Sequence, residues 1–445
     1  MNDDIPRLLD LGARLVEAAR KSGADAADAA VVSARSRSAQ VRMGRVEELE
    51  SSESDEVSLR VFVGRRVATV SSDLRSDPER LAERAVAMAR VSPEDPYAGL
   101  GDPERFSDGA DGLDLYDPTE PSGDSLAEEA KALEASALAV SGVSNSSGAT
   151  AGFGTSGLVL VTSTGFSGAR RRSGFSRSVS VLAGEGTGME RDYDFDSRLH
   201  FSDLEEPETI GRRAGERAVR RLRPAKVATG RYTIVLDPRV SRSLIGALVG
   251  ALNGASIARR TSFLRERMGE QVLPEGLDLV DDPLLPRRPG SRPFDGEGLR
   301  GERLLLVENG ILRNWTLDSA TARELGLRSN GRAARSSGGV SPTSTNVTLT
   351  HGARTPAELI RDTGQGLYIT ETIGHGANLV TGDYSCGASG FLIENGELTG
   401  PVSEFTIAGH LSDMFRSIEP ANDGDTRFSL TVPTLRIGEM TVAGR

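Results

Sequence analysis

The stretch GDYSCGASGFLIENGELTGPVSEFTIAG, Gly382 to Gly409, sets the architecture expected for the second half of this chain. A glycine-punctuated turn runs into residues that alternate apolar and polar, and Asn395-Gly396 stands where the alternation turns back. Asn-Gly accepts the positive φ angles of a two-residue hairpin turn, so the segment reads as an antiparallel pair. Asn309-Gly310 in RLLLVENGILRNWTL and Asn330-Gly331 repeat the signal, and everything after Glu302 reads mostly as strand and turn. Upstream, TIVLDP is a short buried strand. It leads into SRSLIGALVGALNGASIARRTSFL, Ser241 to Leu264, helical by spacing to about Arg260.

The first half has a different texture. Leu8, Leu11, Leu15, Val16 and Ala19 repeat at helical spacing and stop near Gly23. Ala30 to Met43 alternates, and Val57 to Val70 reads as two short strands around Gly64-Arg65. Ser76-Asp77-Pro78-Glu79 is a capping box that opens a helix running to about Val91. Ser92 to Asp124, rich in Asp, Pro and Gly, reads as a surface connection. A helix from Ser125, two glycine-bounded strands and a helix from Glu208 to Leu222 close this half. Pro224 to Gly230 is the natural boundary. The expected fold class is α+β: an N-terminal α+β domain with antiparallel strands and helices over 1–226, and a C-terminal β-rich antiparallel domain over 227–445.

Composition narrows the functions. With 53 Lys plus Arg against 64 Asp plus Glu the formal net charge is -11, the wrong sign for gripping a nucleic acid, and 4% aromatics argue against base stacking. One cysteine excludes an internal disulfide and any multi-cysteine metal site. No apolar run approaches the roughly 20 residues of a membrane span, and the amphipathic start is unlike a signal peptide, so a cytoplasmic protein is expected.

A zinc hydrolase needs protein ligands, an open position for water and a carboxylate to take its proton. From Asp237 to Arg265 there is neither His nor Glu. The four histidines, His200, His351, His375 and His410, include no pair at ligand spacing. His375 lies between Gly374 and Gly376, where the backbone can approach a ligand closely or simply turn. Asp383 and Tyr384 offer an acceptor and an amphipathic ring suited to a peptide backbone, and both are expected to tolerate alanine without loss of fold. Cys386 reads as a small buried residue. FDGEG, Phe294 to Gly298, places Asp295 and Glu297 on a flexible loop, as channel-lining carboxylates or as solubilising charge.

These segments, with PFDGEGLRGERLLLVENGILRNWTLDSATARELGLRSNG (Pro293 to Gly331) and PTLRIGEMTVAG (Pro433 to Gly444), resemble the TldD/PmbA family, once called modulators of DNA gyrase, and its PmbA/TldE branch in particular. In that family the TldD-like subunit carries a His-Glu-x-x-x-His zinc motif on a glycine-rich helix. Aligned on Gly254 and Thr261-Ser262, this chain places Ile245 and Gly250 at the histidines and Gly246 at the glutamate. The family's cysteine ligand near the C-terminus is also missing. FDGEG matches the Phe-Asp-acidic-Glu-Gly pattern except at Gly296.

The resemblance implies a metal-site-lacking subunit of a two-subunit TldD/TldE-type zinc metallopeptidase that degrades or trims short unfolded peptides. No cofactor is expected in this chain and zinc is expected in the TldD-like partner, with a homodimer as the form adopted alone. His375, Asp383, Tyr384, Asp295 and Glu297 are then candidates for a peptide channel or subunit interface. Two other readings stay open: a non-enzymatic binding or regulatory protein of the gyrase-modulator type, and a self-sufficient hydrolase built on His375 and Asp383.

Overall fold

The computed structural model describes residues 5–109, 112–336 and 339–445; the acidic opening Met1–Asp4 lies outside them. In chain order the first half comprises α1 (Ile5–Lys21), β1 (Ala26–Arg42), β2 (Arg45–Val63), β3 (Arg66–Ser72), α2 (Pro78–Val91), α3 (Gly123–Leu138), β4 (Val143–Thr162), β5 (Ser167–Ala183), β6 (Glu190–Arg198) and α4 (Pro207–Arg220). Its strands form one antiparallel sheet in the order β3-β2-β1-β4-β5-β6.

Strand parity explains how this sheet is used. Successive side chains point to opposite faces. On β1 the odd positions Ala27, Ala29 and Val31 pack with Val57, Leu59 and Val61 of β2 under α1 and α2. Further along, Ala39 and Val41 pack with Leu126, Leu133 and Ile210 under α3 and α4. Both helix pairs therefore cover the same face. The even positions, including Asp28, Ala30, Arg60 and Leu160, turn to the opposite face, and there Ala30 and Leu160 meet Phe294 of the second half.

The second half comprises β7 (Gly230–Leu236), α5 (Pro238–Ala251), α6 (Gly254–Ala258), β8 (Leu279–Asp281), β9 (Leu304–Glu308), β10 (Ile311–Leu312), α7 (Ser319–Glu324), β11 (Ala333–Ser336), β12 (Gly339–Pro342), β13 (Val347–Leu349), α8 (Pro356–Thr363), β14 (Gln365–Ile373), β15 (Asp383–Glu394), β16 (Glu397–His410), α9 (Leu411–Arg416), β17 (Glu419–Pro420), β18 (Leu430–Thr431) and β19 (Leu435–Ala443). One sheet runs β16-β15-β14-β7-β19-β17, and because β16 also pairs with β19 it closes on itself. A second sheet runs β10-β9-β8-β13-β18, and β11 pairs with β12. The fold is α+β and mostly antiparallel, with parallel pairings between β7 and β14 and between β13 and β18. α5 starts where the Asp237 carboxylate accepts from the Arg239 amide at 2.9 Å, with Pro238 in the first turn.

Three local expectations need correction. Asn330-Gly331 is not a hairpin turn: the Asn330 amide bridges the Leu317 amide at 2.9 Å and the Trp315 carbonyl at 2.7 Å, a loop staple rather than a strand reversal. β2 is far longer than the alternating segment Val57–Val70 suggested, because Arg45–Glu56, exposed along its length, hydrogen-bonds to β1. The stretch after α2, expected as a surface connection, is more closely tied than that. Phe106 bridges to Leu299 and packs at a tilt 5.3 Å from Phe166, and the Ser107 amide donates to the Gly298 carbonyl. No helix among the described residues is long and apolar enough to cross a membrane.

Candidate functional site

Two places gather the residues that the sequence singled out. The first is α5 and the loop 374–382 that lies over it. Ile245 is fully buried in the core of the second half. A Cβ on Gly250 would stand 3.2 Å from Leu379 Cδ1, so the loop covers that face of the helix, and the Phe263 amide donates to the Leu379 carbonyl at 2.8 Å. A Cβ on Gly246 would meet Leu430. An isobutyl group closes one position and no donor atom stands at any of the three, so these residues do not fit a zinc ion. Among the described residues no group of three or more His, Cys, Asp and Glu side chains could hold a metal.

The loop itself is well tied. Asn378 Oδ1 accepts from the amides of Val380 and Thr381, and the Thr381 hydroxyl donates to Asp383 Oδ2 at 2.7 Å. His410 Nε2 pairs with the Thr381 carbonyl at 3.1 Å while its Nδ1 accepts from the Ser412 amide, which fixes the neutral tautomer with hydrogen on Nε2. Gly382, at φ +87°, passes so close to the His410 ring that a Cβ would stand 2.7 Å from it. His375 and Asp383 are exposed on this loop, beside Ile373 and Val380 at 70% and 58% exposure.

Tyr384 departs from expectation. Its ring points inward, with 8% exposure, and its hydroxyl meets Cys386 Sγ at 3.2 Å. Gly376 packs beneath it, where a Cβ would approach the ring to 2.9 Å. The glycine therefore seats a tyrosine of its own chain. Tyr384 is part of the core and cannot present its ring to a peptide or a partner in this conformation. Burial also pushes both the Tyr384 phenol and the Cys386 thiol above their ordinary pKa values.

The second place is the junction between the halves, where Asp295 and Glu297 lie. They are 1% and 2% exposed, so the FDGEG turn is not a free loop. Phe294 anchors it, 5.0 Å from Phe166, and the Asp295 carboxylate accepts from the amides of Glu297, Leu299 and Ala333. Glu297 accepts from the Ser319 amide at 2.8 Å and faces Arg60 at 3.7 Å. Arg60 donates to Asp28 at 3.0 Å, and Arg335 reaches the same carboxylate. The result is a buried chain of alternating charge, Glu297, Arg60, Asp28, Arg335, built from β1 and β2 on one side and from the turn and β11 on the other.

The electrostatics follow from burial and order. Burial alone would raise Asp28, but Arg335 and Arg60 beside it hold its pKa below the ordinary value. Glu297 has its ion-pair partner, Arg60, at longer range, and burial pushes it up to about 7. Asp295 is also raised by burial, against the pull of its backbone donors and Arg292. Asp28, Arg60 and Arg335 escaped the sequence reading. Asp28 and Arg60 left one local signal, a charge at an even, inward position of the otherwise apolar strand segments Ala26–Val31 and Val57–Val63.

Comparison with known proteins finds similarity over most of the chain. Models of three PmbA/TldA metallopeptidase domains match in order: domain 1 over 27–89, the central domain over 116–222 and the C-terminal domain over 229–444. Metalloprotease PmbA of Escherichia coli O157:H7 is 36% identical over 95% of this chain and 93% of its own length. A PmbA homolog of Haemophilus influenzae is 34% identical over 96% and 94%. Among solved structures, a candidate modulator of DNA gyrase from Bacteroides thetaiotaomicron superposes with a TM-score of 0.91 at 29% identity, covering 98% of each chain. TldE of Thermococcus kodakarensis shares the fold with a TM-score of 0.87 at 22% identity, covering 98% of this chain and 100% of that one.

Proposed function

The chain belongs to the PmbA/TldD metallopeptidase family, and on that premise we propose that it is the PmbA/TldE-like subunit of a two-subunit peptidase whose zinc is held by a TldD-like partner. The observation that carries this reading is α5. The family scaffold is kept around the helix, while the positions aligned with metal ligands are Ile245 in the core and Gly250 under Leu379. The metalloprotease names of the relatives then describe an activity of the assembly, and this chain supplies a wall for the partner's site. Short unfolded peptides are the substrate class, and the cytoplasm is the compartment.

Within that reading the loop over α5 is the contact surface. Ile373 and Val380 are exposed apolar groups beside His375 and Asp383, a mixture that suits a subunit or peptide contact. Asp295 and Glu297 serve from behind, locking the turn that joins the halves. A non-enzymatic regulatory role is the second reading, favoured by the gyrase-modulator description of the Bacteroides relative.

Elemental analysis and peptidase assays on the purified chain, alone and mixed with a TldD-like subunit, separate the two. The expected result is no stoichiometric zinc and no cleavage alone, a joint peak on size-exclusion chromatography, and chelator-sensitive cleavage of an unfolded peptide by the mixture. One zinc per chain with cleavage in the partner's absence would overturn the proposal. A mixture that neither associates nor cleaves would favour the regulatory reading.

A further inference from the structure

Beside the charged junction, a cleft of about 250 Å³ opens between β4 and β5 of the first half and the turn before β11 of the second. Parity turns Arg170 and Arg172 of β5 toward it, Arg171 between them borders it, and Arg292 and Arg335 complete the wall. Among the described residues no Asp or Glu lines it. Val32, 40% exposed, stands at its edge, so the cleft is reachable from solvent.

Most of these arginines have protein contacts. Arg170 donates to the Phe294 carbonyl at 3.2 Å, Arg172 to the Pro289 carbonyl, Arg335 pairs with Asp28, and Arg171 lies over the Tyr116 ring at 3.7 Å. Arg292 is different. It is 9% exposed, and its Nε and Nη2 have no hydrogen-bond partner among the described residues. Asp295, the carboxylate whose charge reaches it, has its oxygens turned to the amides of Glu297, Leu299 and Ala333. A buried guanidinium with idle donors is costly unless something supplies acceptors. The crowding of like charge is felt by its neighbour too: burial, with Arg292 and Arg172 nearby, lowers Arg170 to about 9.

We propose that this cleft is a binding site for a small oxyanion, a carboxylate or phosphate group, held by Arg292 and Arg170 with Arg335 at its side. Planar guanidinium forks match both groups through paired, charge-assisted hydrogen bonds. The volume exceeds what a single phosphate fills and falls short of a drug-sized pocket, so the ligand is a small molecule or the carboxyl end of a peptide. The inference stands whether or not the chain works in a peptidase.

Thermal shift and calorimetric titration of the intact chain test this with three probes: inorganic phosphate, a tripeptide with a free carboxylate, and its C-terminal amide. Potassium chloride at equal ionic strength is the control. Phosphate or the free-acid peptide at about 10 mM should raise Tm by several degrees, and Arg292→Gln should weaken that ligand about tenfold or more. Arg292→Gln should leave the ligand-free protein at least as stable as wild type, because it removes a buried charge without a partner. Phosphate binding alone identifies a free anion as the source, while binding of the acid but not the amide identifies a peptide terminus. The proposal is overturned if neither probe exceeds the chloride control, or if Arg292→Gln binds as wild type does. Should Arg292→Gln not fold, Arg170→Gln carries the same comparison.

Discussion

Arg335 on β11 stands 2.8 Å from the carboxylate of Asp28 on β1, a buried ion pair that crosses from one half of the chain to the other. Asp28 is fully buried and also takes both Nε and Nη2 of Arg60, so two guanidinium groups depend on one carboxylate. The junction is therefore cooperative: losing the acid leaves Arg335 without its carboxylate and Arg60 with only Glu297, 3.7 Å away.

Asp28→Ala should lower stability by about 3–5 kcal/mol, the usual consequence of leaving a buried charge unpaired. Glu17→Ala, which breaks the exposed Glu17–Lys21 pair, should leave stability nearly unchanged. Guanidinium unfolding of both variants makes the comparison. Equal and small losses would show that the junction is solvated in solution.

Glu297 sets a pH dependence with a definite sign. Its folded pKa is raised to about 7, so the folded protein keeps a proton that the unfolded chain has already released. Between about pH 4.5 and 7 stability therefore falls as pH rises, by up to about 3 kcal/mol. Glu297→Gln imitates the protonated side chain. It should match wild type near pH 4 and exceed it above pH 7, and parallel stability curves for the two proteins would refute the assignment.

Tyr384 separates a core role from a surface one. Tyr384→Phe loses a weak contact to Cys386 and should change stability by less than about 1 kcal/mol, whereas Tyr384→Ala should cost about 3–5 kcal/mol by opening a cavity. Thermal unfolding decides between them. An alanine variant as stable as wild type would restore the expectation that this ring is dispensable to the fold.

The fold was legible wherever a local backbone rule spoke. Asn395-Gly396 announced its hairpin because both residues take positive φ, 54° and 78°, which few other pairs tolerate. Thr355 and Glu358 form a capping box, though the sequence reading marked instead Ser76–Glu79, where Asp77 is the residue that caps α2. Arg45–Glu56 was silent because an exposed strand needs no apolar alternation; its pairing with β1 decides it.

The sites were legible in a different measure. The lack of ligands on α5 was visible directly, since a missing His or Glu needs no fold to be seen. Burial of Asp295, Glu297 and Tyr384 was not visible, because each lies among glycines that read as a mobile turn. The partners that bury Asp295 and Glu297, Arg60 and Ala333 among them, are remote in the chain.

One consequence of the closed sheet concerns the order in which the molecule can be made. β19 pairs with β7 along one edge and with β16 along the other, so of the ring's strands the last in chain order is the one that shuts it. Until then β7 and β16 each present an unpaired edge, and the ring's interior residues Ile234, Ile407 and Val442 cannot all be covered. The first half, complete by α4, has no such wait. Synthesis in one direction should therefore yield a finished first sheet carrying an open, association-prone second one, which marks β19 as the place where a chaperone or a partner subunit has most to offer.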